Sequence, residues 1–248
     1  MKVSDLVLEK AYEVKYYEQN LKNELKESSL LNFLQDAATV SAENLGFGPS
    51  FVFSNNLAWF VLKYHIELSE PVKNTDSVII KTEPRGAHRL YAYRDFGIYL
   101  PDGKKIGFAS SLWALVDMGS KRMIPMEKAL PDMFKYEKRD SDPDFAKIPP
   151  LESEKTSFEK EFEVKFDDVD VNQHANNANY IIWALESLPH EFRMNHSPAV
   201  IDIKYRKEIK MGGKILSQSQ SITPNTTIHL IREKESGEEL CCARFVWK

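Results

Sequence analysis

The chain of 248 residues predicts an α+β fold in which one unit is present twice, and three observations carry that expectation. A weak internal repeat sets Glu163-Val164-Lys165-Phe166 against Glu13-Val14-Lys15-Tyr16, an offset of 150 residues. Each copy leads into an apolar segment with helical spacing. Each such segment is then followed by four runs rich in branched and aromatic residues, the pattern of an antiparallel sheet. A strand that gives way to one long helix and returns to such a sheet buries the helix by curling around it.

The first helix is expected over 29–45, where Leu30, Leu34, Ala37, Ala38 and Leu45 share a face at helical spacing. Phe33 and Ala42 make the other sides apolar too, so the helix should be wrapped by other structure. Gly46-Phe47-Gly48 would end it, a glycine supplying the positive φ of a C-cap. Strands follow over 59–68, 78–82, 90–100 and 106–117. The second helix is expected over 177–188, stopped by Pro189, with Tyr180, Ile181, Ala184, Leu185 and Leu188 on one side. Strands over 199–209, 214–223, 226–233 and 240–247 complete the second unit. Between the units, residues 136–157 are dense in charge and include Pro143, Pro149 and Pro150, which suits an exposed connector. The expected domains are therefore 1–135 and 158–248, with the boundary near Pro150.

Composition narrows the function classes. With 42% hydrophobic residues the chain can bury a substantial core, and a net charge of −4 disfavours general affinity for the polyanionic backbone of nucleic acid. No apolar run approaches the roughly 18 residues that span a bilayer, and the charged start from Met1 to Lys10 lacks the apolar region of a signal peptide. The only two cysteines, Cys241 and Cys242, are neighbours, a poor arrangement for a structural disulfide, and no spacing suggests a metal site. A reducing cytoplasm fits best. His65, His88, His190, His196 and His229 lack partners at ligand spacing and read as surface or strand residues.

The segment Asp170-Val171-Asn172-Gln173-His174-Ala175-Asn176-Asn177 runs directly into the apolar second helix and concentrates an acid, carboxamides and one imidazole. His174 is the side-chain type suited to proton transfer near neutral pH, and Asp170 and Asn172 are close enough to orient it or a water. A helix beginning at Asn176 or Asn177 would add backbone N–H groups without intrahelical partners and a positive dipole end, which together can hold an oxyanion. Turns and caps of this composition also occur with no chemistry attached. The corresponding stretch of the first unit, Asn20 to Ser29, has no histidine, so one active site per chain is expected.

Asp170, Asn172, His174, Asn176, Asn177, Tyr180, Trp183 and Glu186 match a motif like D-x-N-x-H-x-N-N-x-x-Y-x-x-W-x-x-E, and the chain thereby resembles the acyl-acyl carrier protein (acyl-ACP) thioesterases of plants and bacteria. Further blocks agree: Leu34-Gln35-Asp36-Ala37-Ala38, Leu45-Gly46-Phe47-Gly48, Ala58-Trp59 and Arg94-Asp95-Phe96 look like the bacterial branch. Plant members would carry a transit peptide poor in acids, whereas Asp5 and Glu9 appear at once here. Tyr205-Arg206-Lys207-Glu208-Ile209 is similar to a family strand reading Y-R-x-E-C, with the acid kept and the thiol absent.

The resemblance implies a tandem (double) hot-dog fold and hydrolysis of the thioester of fatty acyl-ACP, releasing free fatty acid and terminating chain elongation. It needs neither cofactor nor metal. Glu208 or His174 would take a proton from water, Asp170 and Asn172 would orient the imidazole, and the helix start at Asn176 and Asn177 would hold the oxyanion. Ile209 can neither attack a thioester nor carry a proton, so a thiol nucleophile is not expected. Strict alternation along the strand, however, puts Glu208 on the face opposite Ile201, Ile203, Tyr205 and Ile209, and only a bulge or strand edge would aim it at His174. Phe33, Ala37 and Trp59, with Ala38, could shape an acyl pocket, although on sequence alone core packing is the favoured reading of these four. The partner would be the acidic acyl carrier protein, met by basic residues such as Arg85, Arg89, Lys204, Arg206 and Lys207, which also suit a solvated strand face. Hydrolysis of acyl-coenzyme A and non-catalytic acyl binding are the alternatives, and the hot-dog dehydratases, which also pair a histidine with an acid, lack the Asn-Asn-x-x-Tyr-x-x-Trp block. Self-association into a homodimer is compatible by fold analogy alone.

Overall fold

A computed structural model of the chain describes residues 6–73, 75, 77–130, 145–152 and 158–248. The first unit contains β1 (Leu8–Glu13), α1 (Glu27–Asn44), α2 (Pro49–Ser54), β2 (Leu57–Leu68), β3 (Ser77–His88), β4 (Tyr91–Tyr99), β5 (Lys105–Asp117), the two-residue β6 (Arg122–Met123) and a single helical turn, α3 (Met126–Ala129). The second contains β7 (Phe158–Glu163), α4 (Asn177–Glu186), α5 (His190–Asn195), β8 (Pro198–Tyr205), β9 (Lys214–Thr223), β10 (Thr226–Glu233) and β11 (Glu239–Trp247). Of the expected connector 136–157, only residues 145–152 are among those described, and they form neither helix nor strand. No described helix is long and apolar enough to cross a membrane.

All described strands belong to one antiparallel sheet in the order β1-β3-β4-β5-β2-β8-β11-β10-β9-β7, with β6 paired to β5. The second five strands repeat the first five in reverse, so the sheet has a pseudo-twofold axis between β2 and β8. The seam is a ladder in which Tyr64 faces Ile203, His65 faces Asp202 and Ile66 faces Ile201. Each half wraps a central helix, as in a double hot-dog fold, and α1 and α4 also touch one another. Burial of α1 extends around the helix: Leu31, Leu34 and Ala37 are fully enclosed, and Leu30, Phe33, Ala38 and Ala42 nearly so. Gly46 (φ 83°) follows the C-cap residue Leu45, and Phe47 N–H reaches back to Ala42 O, the left-handed helix stop anticipated from the glycine.

Two strands differ from expectation. β3 runs on past Thr82 to His88, because a register shift between Pro84 and Gly86 accommodates a residue without an N–H and a glycine with φ 150°. β8 stops at Tyr205, four residues before the expected 209, a difference with direct bearing on Glu208. Pro189 does separate two helices, but α4 ends at Glu186 and Pro189 caps α5.

On the face of the seam opposite Tyr64 and Ile66 lies a buried charge cluster that periodicity concealed. His65 Nδ1 is 2.7 Å from Asp202 Oδ1, its Nε2 is 3.0 Å from Glu67 Oε1, and Arg244 closes on Asp202 Oδ2 at 2.6 and 2.8 Å. Burial by itself pushes the His65 imidazole down, but the hydrogen bonds and charges of Asp202 and Glu67 outweigh it and leave the pKa above its usual value. His65 therefore stabilises the fold when charged, fully below its unfolded pKa, and that contribution is lost as pH rises through the raised folded value. Asp202→Ala strands Arg244 and His65 in a buried setting, and should cost about 3–5 kcal/mol in denaturant unfolding. It should also flatten the loss of stability between mildly acidic and mildly alkaline pH; a variant with the wild-type pH dependence would remove His65–Asp202 as its source.

Candidate active site

After β7 the chain makes a short 3-10 turn at Phe166–Asp168 and a closed loop before α4. Asp170 N–H donates to His174 O at 3.0 Å, Gln173 N–H donates to Asp170 O at 2.9 Å, and Asp170 Oδ1 accepts from Asn172 N–H at 2.8 Å. Gln173 sits at φ 67°, the left-handed conformation that turns the chain. The Asp170 carboxylate thus holds its own loop, and the Asn172 side chain is left exposed. At the loop's end Ala175 N–H donates to Ile209 O at 2.9 Å, fastening His174 to the chain leaving β8.

That fastening explains Glu208. Beyond Tyr205 the N–H groups of Arg206 and Lys207 both point at Leu240 O, at 2.8 and 3.2 Å, so two residues oppose one and strand alternation ends. The expected alternation with Asp202 and Lys204 breaks down for this reason: Asp202 is buried, whereas Glu208 stays exposed but is aimed at the histidine. Its Oε2 stands 3.1 Å from His174 Nδ1, with both side chains partly exposed. Ile209 turns into the core, 4% exposed, and packs so closely over Gly213 that a Cβ there would lie 2.6 Å from Ile209 Cδ1. The Glu208 carboxyl is raised above the usual carboxylate range, first by burial. The Asp170 charge raises it further, while His174, Lys121 and Lys210 oppose. Lys121 comes from the first half, so both halves contribute charge at this carboxylate. Lys121 could not be singled out from sequence, because its proximity depends on how the β5–β6 turn crosses to the other half, whereas Lys210 follows Glu208 by two residues.

The start of α4 has the anticipated cap. Asn176 Oδ1 accepts from Ala178 N–H at 2.9 Å and Asn176 O from Asn179 N–H at 2.9 Å, which leaves Asn177 N–H as the first-turn donor without an intrahelical partner. Asn177 itself is held twice: Tyr205 O–H donates to its carbonyl at 3.1 Å, and its side-chain Nδ2 donates to Gln35 Oε1 of α1 at 3.0 Å. The structure therefore brings His174, Glu208 and Asp170 together beside a helix start. No group of three or more His, Cys, Asp or Glu side chains among the described residues is placed to hold a metal ion.

The residues expected around the acyl chain are on α1 and β2. Phe33 stacks on Tyr12 with ring centroids 4.6 Å apart, Ala37 is fully enclosed, and Trp59 donates Nε1–H to Phe47 O at 2.8 Å. Of the expected basic residues, Arg85 pairs with Asp95, Arg206 with Glu239 and Lys207 with Glu238, so these three charges are already answered within the chain. Cys241 and Cys242 are free, buried thiols of β11. His229 is enclosed between Thr227 and Ser187 with its pKa lowered to about 3 by burial, which marks a neutral core histidine.

Comparison with known proteins gives a consistent picture. The family model for the acyl-ACP thioesterase N-terminal domain matches residues 5–134, and that for the C-terminal domain matches residues 151–248. The chain is 26% identical over 276 residues to oleoyl-acyl carrier protein thioesterase 2 of Arabidopsis thaliana, spanning 95% of this chain and 75% of that one. A solved structure of an acyl-ACP thioesterase from Bacteroides thetaiotaomicron covers all of both chains with a TM-score of 0.89 at 20% identity, a likeness of fold. A Lactobacillus plantarum structure described as an oleoyl thioesterase covers 98% of this chain and 96% of its own at 25% identity, with a TM-score of 0.87.

The pseudo-twofold axis places a second copy of this loop in the first half with the same backbone bonds. Asn20 N–H donates to Glu24 O, Asn23 N–H to Asn20 O, Lys22 N–H to Asn20 Oδ1 and Leu25 N–H to Val72 O, with Asn23 at φ 57°. Glu24 thereby takes the place of His174, and Pro71, just before Val72, that of Glu208. Lys22 Nζ fills the opening: it reaches Glu24 Oε2 at 3.0 Å, Ser197 Oγ at 2.7 Å and His196 O at 2.6 Å, while Ser197 O–H donates to Glu24 at 3.0 Å. An ion-paired lock joins the two halves where the other side has the His174–Glu208 pair. Lys22→Met should lower unfolding stability by about 2 kcal/mol, the cost of leaving a buried acceptor short of its partner, with kcat unaltered. A fall in kcat with stability unchanged would contradict that assignment.

Proposed function

The chain belongs to the acyl-ACP thioesterase family and is a thioester hydrolase, and we propose that it hydrolyses fatty acyl-ACP to free fatty acid at the His174–Glu208 pair. The single observation that carries this site is the 3.1 Å approach of Glu208 Oε2 to His174 Nδ1, produced by the end of β8 and set beside the start of α4. With Nδ1 turned to Glu208, Nε2 is the ring nitrogen available to a water. The pair acts together: the imidazole takes the proton as water attacks the thioester carbonyl, and the carboxylate stabilises the imidazolium. The tetrahedral oxyanion is met by the Asn177 N–H and the positive end of α4. Collapse expels the pantetheine thiol of the carrier, which takes its proton from the imidazolium.

In this reading Asp170 maintains the loop and tunes Glu208, and Asn172, whose side chain is exposed, is left to orient a water or the imidazole during the reaction. Residues 1–135 wall the acyl chain, with Phe33, Ala37 and Trp59 in its surroundings, residues 136–157 connect the halves, and residues 158–248 carry the chemistry. Their placement on the enclosed face of α1 and on β2 supports the assignment of these three. The two buried free thiols favour a reducing, cytoplasmic setting, and the motif blocks favour a bacterial one.

Fatty acid release from a panel of acyl-ACPs, with matching acyl-coenzyme A esters beside them, tests the substrate class: release should be faster from the carrier-bound esters. Faster release from coenzyme A would move the substrate, and tight binding without release would show an acyl-binding protein. His174→Ala should lower kcat by at least about a hundred-fold with folding intact. Because Glu208 must be ionised to assist, kcat should fall as pH drops through its raised pKa, placing the acid limb above the usual carboxylate range. Asp170→Asn keeps the acceptor for Asn172 N–H and removes a charge that raises Glu208, so the limb should move to lower pH; an unmoved limb would take Asp170 out of this role.

A further inference from the structure

We propose that Gln35, on the central helix of the first half, is a positioning residue for the oxyanion site of the second, an inference that rests on the reading of the site given above. Asn177 is the first residue of α4 and owns the one first-turn N–H left open by the Asn176 cap. Two contacts from different elements fix it. Tyr205 O–H holds its carbonyl from the last residue of β8, and Gln35 Oε1 holds its side chain from α1 at 3.0 Å. The first of these ties the helix start to the strand whose exit delivers Glu208. The second is the only side-chain hydrogen bond between α1 and α4 among the described residues, and it bridges the two halves.

The geometry asks for such a brace. An oxyanion donor is effective only when it is already aimed at the position the charge will occupy, and the first turn of a helix is the part most prone to fray. Asn177 N–H has no bond of its own to keep it in place, so its direction depends on what holds the rest of the residue. Gln35 is well suited to this. It is half-buried in the middle of an 18-residue helix that is packed nearly all round, so its own backbone has no freedom to follow Asn177. Neighbouring polar groups of α1 are engaged elsewhere: Asp36 accepts from Lys10 at 2.5 Å and Tyr12 at 2.6 Å, and Thr39 O–H returns to Gln35 O. Gln35 alone of these faces the catalytic half. Loss of the contact should leave substrate binding and proton transfer in place and misdirect the oxyanion donor, which lowers kcat with little change in KM.

Gln35→Met, of similar volume but unable to accept the hydrogen bond, is the test, with full-length protein, acyl-ACP as substrate, and thermal unfolding measured alongside. The expected result is a fall in kcat of about ten-fold, KM within about two-fold, and an unshifted acid limb of the pH profile, since the His174–Glu208 pair is untouched. A simple helix-to-helix staple would lower the melting temperature and leave kcat alone, and that outcome overturns the proposal. Asn177→Ala provides the second arm: the double variant should be no slower than Asn177→Ala, because both changes cut the same link, whereas additive losses would show Gln35 acting by another route. Wild-type protein inactive on every acyl-ACP would count against the hydrolase reading itself, a result separate from normal kcat in Gln35→Met.

Discussion

The pairing of β2 with β8 is the constraint on which the remaining architecture depends. That ladder, from Lys63 facing Lys204 to Glu67 facing Val200, turns two similar half-barrels into one sheet and lays α1 beside α4. It also fixes where β8 ends. Tyr205 is the residue after Lys204, and within four more residues the chain has bulged on Leu240, turned Glu208 toward His174 and tied itself to the histidine loop through Ile209 O. The proposed active site therefore hangs from the edge of the seam, and Lys121 and Gln35 of the first half reach Glu208 and Asn177 because the seam holds the halves in register. The buried His65–Asp202–Arg244 cluster covers the outer face of the same ladder, an electrostatic pin where the inner face has Tyr64, Ile66, Ile201 and Ile203.

Comparison of the two halves shows how little backbone change separates a site from a joint. Both loops use an Asn or Asp side chain to hold the residue two ahead, a left-handed residue next, and a strand-exit carbonyl to anchor the end. What differs is side chains. His174 with Glu208 faces a partly open surface, whereas Glu24 is enclosed by Lys22 and Ser197, with proline where the acid would be. Buried polar groups demand partners, and in the first half the partner comes from the other half. On the proposed reading the chain retains chemistry on one side of its axis and gains cohesion on the other.

The elements were largely legible in the sequence because their signals are local. The apolar periodicity of α1 and α4, the glycine after Leu45, the Asn176 cap and the four-strand runs each depend on neighbours in the chain. The offset of 150 residues even located the duplicated loop. The misread features share a different cause, being decided by contacts distant in sequence. Alternation continued through Glu208 because nothing local announces that Arg206 and Lys207 share one carbonyl of β11. His65 read as an ordinary strand histidine because Asp202 lies across the seam. Gln35 read as one member of a helix block, since its partner is 142 residues away.

The orientation of Ile209 has a consequence for how the acyl group is handed over. Its side chain is enclosed in the core while its carbonyl anchors the histidine loop, so whichever residue stands there is committed to packing by the path of the main chain. A thiol at this position, as in the family pattern this chain otherwise follows, would be sequestered and held protonated by its surroundings. The buried Ile209 thus fits the proposed direct attack by water, a route with no stage at which the fatty chain is bonded to the protein. Such a route would leave no acyl-enzyme for another alcohol, amine or thiol to intercept, and would bias the protein toward releasing acids over transferring chains.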